Sequence, residues 1–386
     1  MAATPIYLDN NATTRTDPRV VEAMLPYFSD HYGNAASAGH AFGWAAVDGV
    51  DKARAAIASL IGADPREIVF TSGATESDNL ALRGVSAAYR DKGRHIVTST
   101  FEHKAILDTA HQLEESGTTV TYVPVDRQGR VDVDRIAEAI TTETILVSIM
   151  LANNEIGTLQ DIAAIGALCH QRGVVFHTDA TQGIGKIPVD VGAMQIDLMS
   201  FTGHKMHGPK GVGALYVRRR DPRVLLTAQT TGGGHESGRR SGTLNTPGIV
   251  GFGEAAKISA TEMDAEVAHV STMRDRLESA LLAIDGVRVN GHPTLRLPNT
   301  SNLLIEGVEA DAIMSAASDI AMSAGSACSS AAITPSHVLK AIGLTDHEAS
   351  CSIRLATSRF TTEAEVDYAA ERIAKAVENR RRLTAA

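Results

Sequence analysis

The sequence has few cysteines and no closely spaced cysteine pair. Its 386 residues include three cysteines, which lie at positions 169, 328 and 351. An odd number without a Cys-x-x-Cys pair argues against a disulfide framework and is typical of a protein in a reducing cytosol. The sequence also lacks an apolar run that could span a bilayer, and residues 1–14 lack the basic start and apolar segment of a secretory signal. We therefore expect a cytoplasmic protein that makes no membrane contact.

The sequence has no excess of positive charge. It contains 36 Lys and Arg residues against 45 Asp and Glu residues, for a formal net charge of −9. General nucleic-acid binders usually carry a basic excess, so no direct nucleic-acid partner is predicted. Neither a Walker phosphate loop nor the glycine pattern of dinucleotide-binding folds is present.

Short apolar segments alternate with amphipathic helical patterns as far as residue 253. This alternation predicts an α/β fold, with a mostly parallel central sheet covered by helices on both faces. A long helical stretch follows, and the remaining strand and helix patterns fit a smaller α+β unit. We expect a large α/β domain at residues 15–255 and a small α+β domain formed by residues 1–14 and 256–386.

A lysine-containing turn lies between two strand-like segments. Residues 200–213 read SFTGHKMHGPKGVG. A lysine that a rigid scaffold partly buries can have a lowered pKa and form a Schiff base with a carbonyl cofactor such as pyridoxal phosphate (PLP). The alternative is a surface turn in which both lysines, Lys205 and Lys210, are solvated.

Other groups that a PLP site needs follow neighbouring strands. The cofactor requires an acid at its pyridine nitrogen, donors for its phosphate and a group on its ring face, and such groups belong at the carboxyl ends of strands. Asp179 follows one strand, Gln182 lies about one helical turn later, and His103 follows another strand. The loop at residues 71–77, TSGATES, leads into a helix whose N-terminus can bind a phosphate. The alternative is a helix cap or turn residue for Asp179, simple capping of the helix for the 71–77 loop, and a surface histidine for His103.

Arg354 and Cys328 have two interpretations each, and a pair of histidines raises the question of a metal site. Arg354, inside an apolar strand, either binds a substrate carboxylate or forms a structural salt bridge. Cys328 lies in a run of small residues and is either an accessible nucleophile or a structural cysteine. His204 and His207 are three residues apart, but no further ligand lies nearby in the required pattern, so no metal site is predicted.

Seven motifs resemble, in order, those of cysteine desulfurases of the NifS/IscS type. These are PLP-dependent enzymes of fold type I in the class V aminotransferase group. The resemblance extends nearly from end to end. The motifs are YLDNNATT at 7–14, FTSGATES at 70–77, ANNEIG at 152–157, HTDATQ at 177–182, the segment 200–213, RSGT at 240–243 and GSAC at 325–328.

The resemblance implies how PLP is bound. Lys205 holds the cofactor as a Schiff base, while Lys210 does not. Asp179 pairs with the pyridine nitrogen, Gln182 with the phenolic oxygen, and His103 stacks on the ring and moves protons. The residues that hold the phosphate are Ala74, Thr75, Thr202 and His204, together with Thr243 from the second subunit of a homodimer.

The resemblance also implies the reaction. Asn154, which also belongs to the cofactor-binding set, and Arg354 bind the carboxylate of L-cysteine. Cys328 takes the sulfur as a persulfide and leaves alanine. The persulfide then passes to a sulfur-acceptor or iron–sulfur scaffold protein, and the segment between Ile320 and Pro335 has the length of the long-loop subgroup.

The sequence departs from the family pattern at two places, of which the second leaves the acceptor open. The first loop reads GNAAS at 33–37 instead of GNPSS, and the sequence ends at Ala386 without the longer C-terminal tail of housekeeping members. Cluster assembly, nitrogenase maturation, tRNA thiolation and DNA phosphorothioation all begin with the same persulfide. A PLP enzyme acting on another amino acid and a non-catalytic sulfur-relay subunit are the alternative functions.

Overall fold

The computed structural model describes residues 5–324 and 335–384. Its strands are, in chain order, β1 (Ile6–Tyr7), β2 (Ile68–Thr71), β3 (His95–Ser99), β4 (Thr119–Val123), β5 (Thr144–Ser148), β6 (Val175–Asp179), β7 (Leu198–Thr202), β8 (Gly213–Val217), β9 (Val287–Val289), β10 (Thr300–Ile305), β11 (Ile320–Ala321) and β12 (Ser352–Ala356).

Helices cover both faces of the seven-stranded sheet that is described below, and they link it to the other strands. They are α1 (Pro18–Met24), α2 (Pro26–Ser29), α3 (Ala41–Leu60), α4 (Ala74–Ala88), α5 (Lys104–Glu115), α6 (Val133–Ala139), α7 (Ile162–Arg172), α8 (Thr246–Leu282), α9 (Ala310–Ala316), α10 (His337–Ala341), α11 (Asp346–Ser350) and α12 (Glu363–Thr384). None of the helices in the described part of the chain is both long enough and apolar enough to cross a membrane.

A seven-stranded sheet forms the centre of the fold. Its strand order is β2-β8-β7-β6-β5-β3-β4, and every pair is parallel except the two that involve β8. Alternate side chains of one strand enter different cores, since Ile96 packs into the cluster on one face and Val97 into the cluster on the other. Strands buried on both faces require nearly continuous apolar sequence, which explains the pattern that predicted the α/β fold.

A second, smaller group of strands lies after the long helix. β9, β10 and β12 form an antiparallel sheet, and β1 pairs with β11 in parallel. These strands have their own hydrophobic cluster, which includes Leu303 and Ile353 and the C-terminal half of α8 through Leu277. The N-terminal strand therefore packs with the C-terminal part of the chain.

The structure differs from the predicted elements at a few boundaries. The sequence of residues 18–28 has a helical pattern that predicts one helix, but the structure has two, α1 and α2, because Pro26 has no N–H with which to continue the first. The long helix starts at Thr246, seven residues before the expected start, because the Asn245 side chain caps it and Pro247 suits its first turn. The predicted domain boundary near residue 255 falls inside this helix, and the division into domains stays a prediction.

Candidate active site

A cavity of about 520 Å³ lies at the carboxyl ends of the central strands, where open α/β sheets bind their ligands. Ten of the twelve predicted site residues line it. They are Ala74, Thr75, His103, Asn154, Asp179, Gln182, Thr202, His204, Lys205 and Arg354. Its volume is within the usual range for cofactor sites.

Two predicted residues are not among those that line the cavity. Thr243 is exposed on the loop that precedes α8 and does not contribute to the wall. Cys328 lies in residues 325–334, outside the described residues.

Lys205 ends the 3₁₀ turn Gly203–Lys205 that follows β7. The side chain is half-buried, and its Nζ donates hydrogen bonds to the backbone carbonyls of Asn11 and Ala12, at 2.8 Å to the latter. Lys210, by contrast, is exposed at the cavity edge. Lys205 is therefore fixed within the cavity, in contrast to the solvated surface lysine that was the alternative.

The loop that receives the Lys205 amine is itself anchored at several points. Asn11 donates through Nδ2 to the Thr300 hydroxyl at 2.8 Å and to the carbonyl of Asn154 at 3.2 Å. The N–H of Thr14 donates to the carbonyl of His204 at 3.0 Å. The carbonyls of Asn11 and Ala12 act through backbone atoms, so no residue type in the sequence indicated their role.

Asp179 is the last residue of β6 and is buried, at 5% exposure. One of its oxygens, Oδ1, accepts the backbone N–H of Thr181 at 2.9 Å. Gln182, one turn further on, is also buried and donates through Nε2 to the carbonyl of Asn11 at 2.9 Å. The carboxylate and the amide thus line the same cavity as the Lys205 amine.

The N-terminus of α4 forms another part of the wall. Its N-cap residue, Gly73, provides no side chain to cap the first turn, and the leading N–H groups of a helix have no partner within the helix. These groups and the helix dipole favour an anion. A Cβ on Gly213 would lie 2.6 Å from the Cα of Gly73, so only glycine at position 213 lets β8 approach this loop so closely.

A carboxylate on the same wall is neutralised by an arginine. Glu76 accepts a hydrogen bond from Nε of Arg240 at 2.7 Å and another from the N–H of Ser72 at 2.7 Å. Arg240 comes from the RSGT motif, 164 residues later in the chain. The pair removes the repulsion that an unpaired Glu76 would exert on a phosphate at this helix end.

His103 is half-buried and caps α5 with its own ring. Nδ1 accepts the backbone N–H of Ala105 at 3.1 Å, so in the neutral ring the proton is on Nε2. Burial lowers the pKa of His103, an effect that the nearby Lys205 reinforces and that Asp179 opposes. The ring is therefore neutral near pH 7 and has its donor at Nε2.

Arg354 is 2% exposed and has partners on two sides. It forms a salt bridge with Asp9 at 2.6 Å and donates to the carbonyl of Asn154 at 3.0 Å. Its Nε, however, is buried without a hydrogen-bond partner among the described residues. The structural salt bridge therefore exists, and one donor of the guanidinium remains for another acceptor.

The two histidines of the GHKMH segment have separate surroundings. His204 Nδ1 lies 3.1 Å from the Thr13 hydroxyl, and burial, reinforced by Lys205, lowers the pKa of His204 to about 4. His207 donates through Nδ1 to the carbonyl of Arg15 at 3.0 Å. No group of three His, Cys, Asp or Glu side chains within residues 5–324 and 335–384 is arranged to hold a metal ion.

Comparisons with known proteins identify the family. The family model for class-V aminotransferases matches residues 6–369. The chain is 52% identical over 382 residues to the cysteine desulfurase IscS of Pectobacterium carotovorum subsp. carotovorum (strain PC1), across 98% of this chain and 94% of that protein. The chain belongs to the class-V aminotransferases, among the NifS/IscS-type cysteine desulfurases.

Solved structures agree with this assignment. A NifS-like protein superimposes with a TM-score of 0.90 at 37% identity, across 97% of this chain and 99% of that one. SspA, solved in complex with cysteine, superimposes with a TM-score of 0.81 at 36% identity, across 92% of this chain and 100% of that one. The predicted fold, a type I PLP-dependent transferase with a mostly parallel sheet, is confirmed.

Cysteine desulfurases of this family depend on PLP, and the cavity of this member fits that cofactor. It combines an amine, a buried carboxylate and an uncapped helix N-terminus, the groups that the aldehyde, the ring nitrogen and the phosphate require. Thr181 Oγ1, on the same lining, is buried without a hydrogen-bond partner in the described part of the chain. A bound water or a polar ligand can satisfy such a group.

A buried carboxyl lies directly before His103 in this desulfurase. Glu102 is fully buried, and its Oε1 accepts hydrogen bonds from the Ser99 hydroxyl at 2.6 Å and the Met150 N–H at 3.0 Å. Its Oε2 has no partner among the described residues. Burial, reinforced by Asp179, raises the pKa of Glu102 from an ordinary 4.5 to about 8.

Replacing Glu102 with glutamine is expected to make the folding stability of the enzyme fall less steeply as pH rises. Between the ordinary pKa of 4.5 and the folded value of about 8, the folded state keeps a proton that the unfolded chain releases, so wild-type stability falls as pH rises. Glu102→Gln keeps an acceptor and cannot ionise. Its free energy of unfolding, relative to wild type, should rise by up to about 1.4 kcal/mol per pH unit in this window.

Urea unfolding of both proteins across this pH window tests the expectation. Glu115→Gln is the matched control, because Glu115 is exposed on α5, and its difference from wild type should stay nearly flat. A difference between Glu102→Gln and wild type that does not change with pH would show that Glu102 is ionised in the folded enzyme.

Proposed function

We propose that this enzyme converts L-cysteine to L-alanine and carries the released sulfur as a persulfide on Cys328. The observation that supports this most strongly is that one cavity contains the Lys205 amine, the Asp179 carboxylate and the N-terminus of α4. Cys328 follows from the family motif in the sequence. In the net reaction, L-cysteine and the Cys328 thiol give L-alanine and the Cys328 persulfide, which balances all atoms and electrons.

Four residues would hold the reactive part of PLP. Lys205 would bind its aldehyde carbon, Asp179 its pyridine nitrogen, Gln182 its phenolic oxygen and His103 its ring face. The phosphate would be held at the start of α4 by Ala74 and Thr75, together with Thr202 and His204. Bound PLP supplies an electron sink for the substrate Cα, which makes the Cα proton acidic and the bond from Cβ to sulfur weak.

The neutral state of His103 suits proton transfer. Its Nδ1 accepts the backbone N–H of Ala105, so the neutral ring presents an N–H donor at Nε2. To take up a proton, the ring would have to release the Ala105 N–H, because its other nitrogen already carries a proton. Lys205 provides a second group that can move a proton, because its amine becomes free when the substrate amine takes its place. Between them, these two side chains can remove a proton from one carbon of the substrate and return it to another.

The substrate carboxylate would be bound beside Arg354. The unpartnered Nε of Arg354 is a donor in need of an acceptor, and the half-buried Asn154 lines the same part of the cavity. A charge-assisted hydrogen bond from Arg354 to a carboxylate would satisfy that donor. The salt bridge with Asp9 keeps the guanidinium in place without using all of its donors.

Cys328 would take the sulfur directly. Its thiolate would attack the substrate sulfur, and the sulfur–sulfur bond would form as the bond from Cβ to sulfur breaks. The electron pair of the broken bond would stay with the substrate, and Cβ would take up a proton to give alanine. The other two cysteines, Cys169 and Cys351, are buried, and burial raises the pKa of both thiols. Neither is therefore an alternative nucleophile.

The enzyme would work as a cytoplasmic homodimer. Thr243 is exposed and outside the cavity of its own chain, so a role at the phosphate needs the cavity of a second subunit.

The acceptor of the persulfide would be an iron–sulfur scaffold or another sulfur-carrying protein. We also propose that residues 15–255 form the PLP-binding domain and that residues 1–14 and 256–386 form the smaller domain with Cys328.

Replacing Cys328 with alanine is expected to abolish alanine formation from L-cysteine and leave PLP binding intact. The visible absorption of bound PLP depends on Lys205 and should be unchanged in Cys328→Ala. Mass spectrometry of the wild-type enzyme after L-cysteine should find one added sulfur atom on the peptide that contains Cys328. Cys351→Ala, which removes a buried thiol, is the control. It should keep both alanine formation and the added sulfur on Cys328.

Two outcomes would contradict the proposal. Undiminished alanine formation by Cys328→Ala would show that Cys328 is not the sulfur acceptor. A PLP-loaded wild type that forms no alanine from L-cysteine but transaminates another amino acid would replace the desulfurase function with an aminotransferase function.

Hybrid dimers are expected to show that Thr243 acts on the partner subunit's site. Lys205→Ala and Thr243→Glu should each be nearly inactive as homodimers. In a co-expressed hybrid, the subunit with intact Lys205 would receive an intact Thr243 from its partner, so about half of the sites would be complete. Activity of the purified hybrid near half of wild type is the expected result, whereas an inactive hybrid would place Thr243 in the site of its own chain.

A further inference from the structure

Lys186 is a buried cation that no predicted role includes. It lies four residues after Gln182 and is 9% exposed. No carboxylate in the described part of the chain lies within salt-bridge distance of its Nζ. Instead, Nζ donates a hydrogen bond to Oε1 of Gln182 at 3.0 Å. A buried lysine that contacts a neutral amide instead of a carboxylate calls for an explanation other than a structural ion pair.

The contact determines which way the Gln182 amide faces. On its other side, Nε2 of Gln182 donates to the carbonyl of Asn11 at 2.9 Å. A backbone carbonyl can only accept, and an ammonium group can only donate. In the reversed orientation, the amide oxygen would face the Asn11 carbonyl and the NH₂ group would face Lys186. Both contacts would then be repulsive, so the two neighbours together select one orientation.

The contact also persists across the neutral pH range. Burial, reinforced by Lys205 and opposed by Glu266, lowers the pKa of Lys186 to about 7. The ammonium and the neutral amine both carry N–H groups. Lys186 can therefore donate to Gln182 in either state.

We propose that Lys186 is a positioning residue that holds the Gln182 amide with its N–H groups toward the cavity. One N–H of Nε2 donates to the Asn11 carbonyl, and the second can donate to a ligand atom that accepts a hydrogen bond. The inference rests on the proposed role of Gln182 at the phenolic oxygen of PLP. Lys186 contributes by disfavouring the flipped amide of Gln182, in which the amide oxygen, and not an N–H group, would face the phenolic oxygen.

The visible absorption of the PLP-loaded enzyme reports on this donor. A hydrogen bond to the phenolic oxygen spreads its negative charge and weakens its hold on the proton at the neighbouring Lys205 nitrogen. The visible absorption of bound PLP changes with pH as that proton is lost. Loss of the donor should therefore raise the pH at which half of this absorption change has occurred. A shift of about half a pH unit to one unit corresponds to one ordinary hydrogen bond.

A double-mutant cycle tests the proposal. Lys186→Met removes the donor but keeps the side-chain length, and Gln182→Leu removes the amide. Lys186→Met should raise the pH midpoint in the wild-type background and leave it unchanged in the Gln182→Leu background. Lys257→Met is the control, since Lys257 is exposed on α8 and its removal should not move the midpoint. An unchanged midpoint in Lys186→Met, or an equal shift in both backgrounds, would overturn the proposal.

A stability measurement covers the case in which Lys186→Met does not fold. Gln182→Glu keeps an acceptor for Lys186, whereas Gln182→Leu leaves Lys186 buried without one. Urea unfolding should therefore find Gln182→Leu less stable than Gln182→Glu, and equal stability would overturn the proposal. Failure of the proposed function is separate, because it would appear in the wild type as the absence of a PLP band or of alanine formation.

Discussion

The hydrogen bonds from the Lys205 amine to the carbonyls of Asn11 and Ala12 join the two ends of the fold at the cavity. Lys205 is carried on a 3₁₀ turn at the carboxyl end of β7, so its backbone is fixed by the central sheet. The loop that accepts its hydrogen bonds follows β1, which pairs with β11 in the C-terminal part of the chain. The position of the amine thus depends on both groups of strands, and so does every role proposed for it.

Buried acidic and basic side chains lie around the Lys205 amine, and not all of them form ion pairs with one another. Burial raises the pKa of the carboxyls of Asp78 and Glu102, and the charge of Asp179 adds to this effect. The charges of Lys205 and Arg354 both act on Lys186 and help to lower its pKa. Because the raised pKa values of Asp78 and Glu102 favour their neutral forms, Asp179 is the carboxylate that we propose for binding a positive charge in the cavity. In the proposed function, that positive charge would be the protonated ring nitrogen of bound PLP.

Sequence patterns predicted the parts of the site in which a side chain at the end of a strand does the work. The α/β alternation located Asp179, His103 and Lys205, because parallel strands bring their carboxyl ends to one edge. The Asn11 carbonyl was not predictable, since it acts through the backbone and meets Lys205 across 194 residues of sequence. Lys186 was missed because a lysine in a loop has the same pattern whether it is solvated or buried. The role proposed for Thr243 would need a second copy of the chain, and it was predicted from the family motif and not from the position of a strand end.

The covalent attachment of PLP tests the central claim most directly, because Lys186, Lys205 and Lys210 all lie in or near the cavity. Borohydride reduction of the PLP-loaded enzyme fixes the cofactor to the nitrogen that holds it, and peptide mapping by mass spectrometry then identifies the residue. We expect the label on Lys205 alone, the lysine whose amine donates to the carbonyls of Asn11 and Ala12. A label on Lys186 or Lys210, or no label on any of the three, would contradict it.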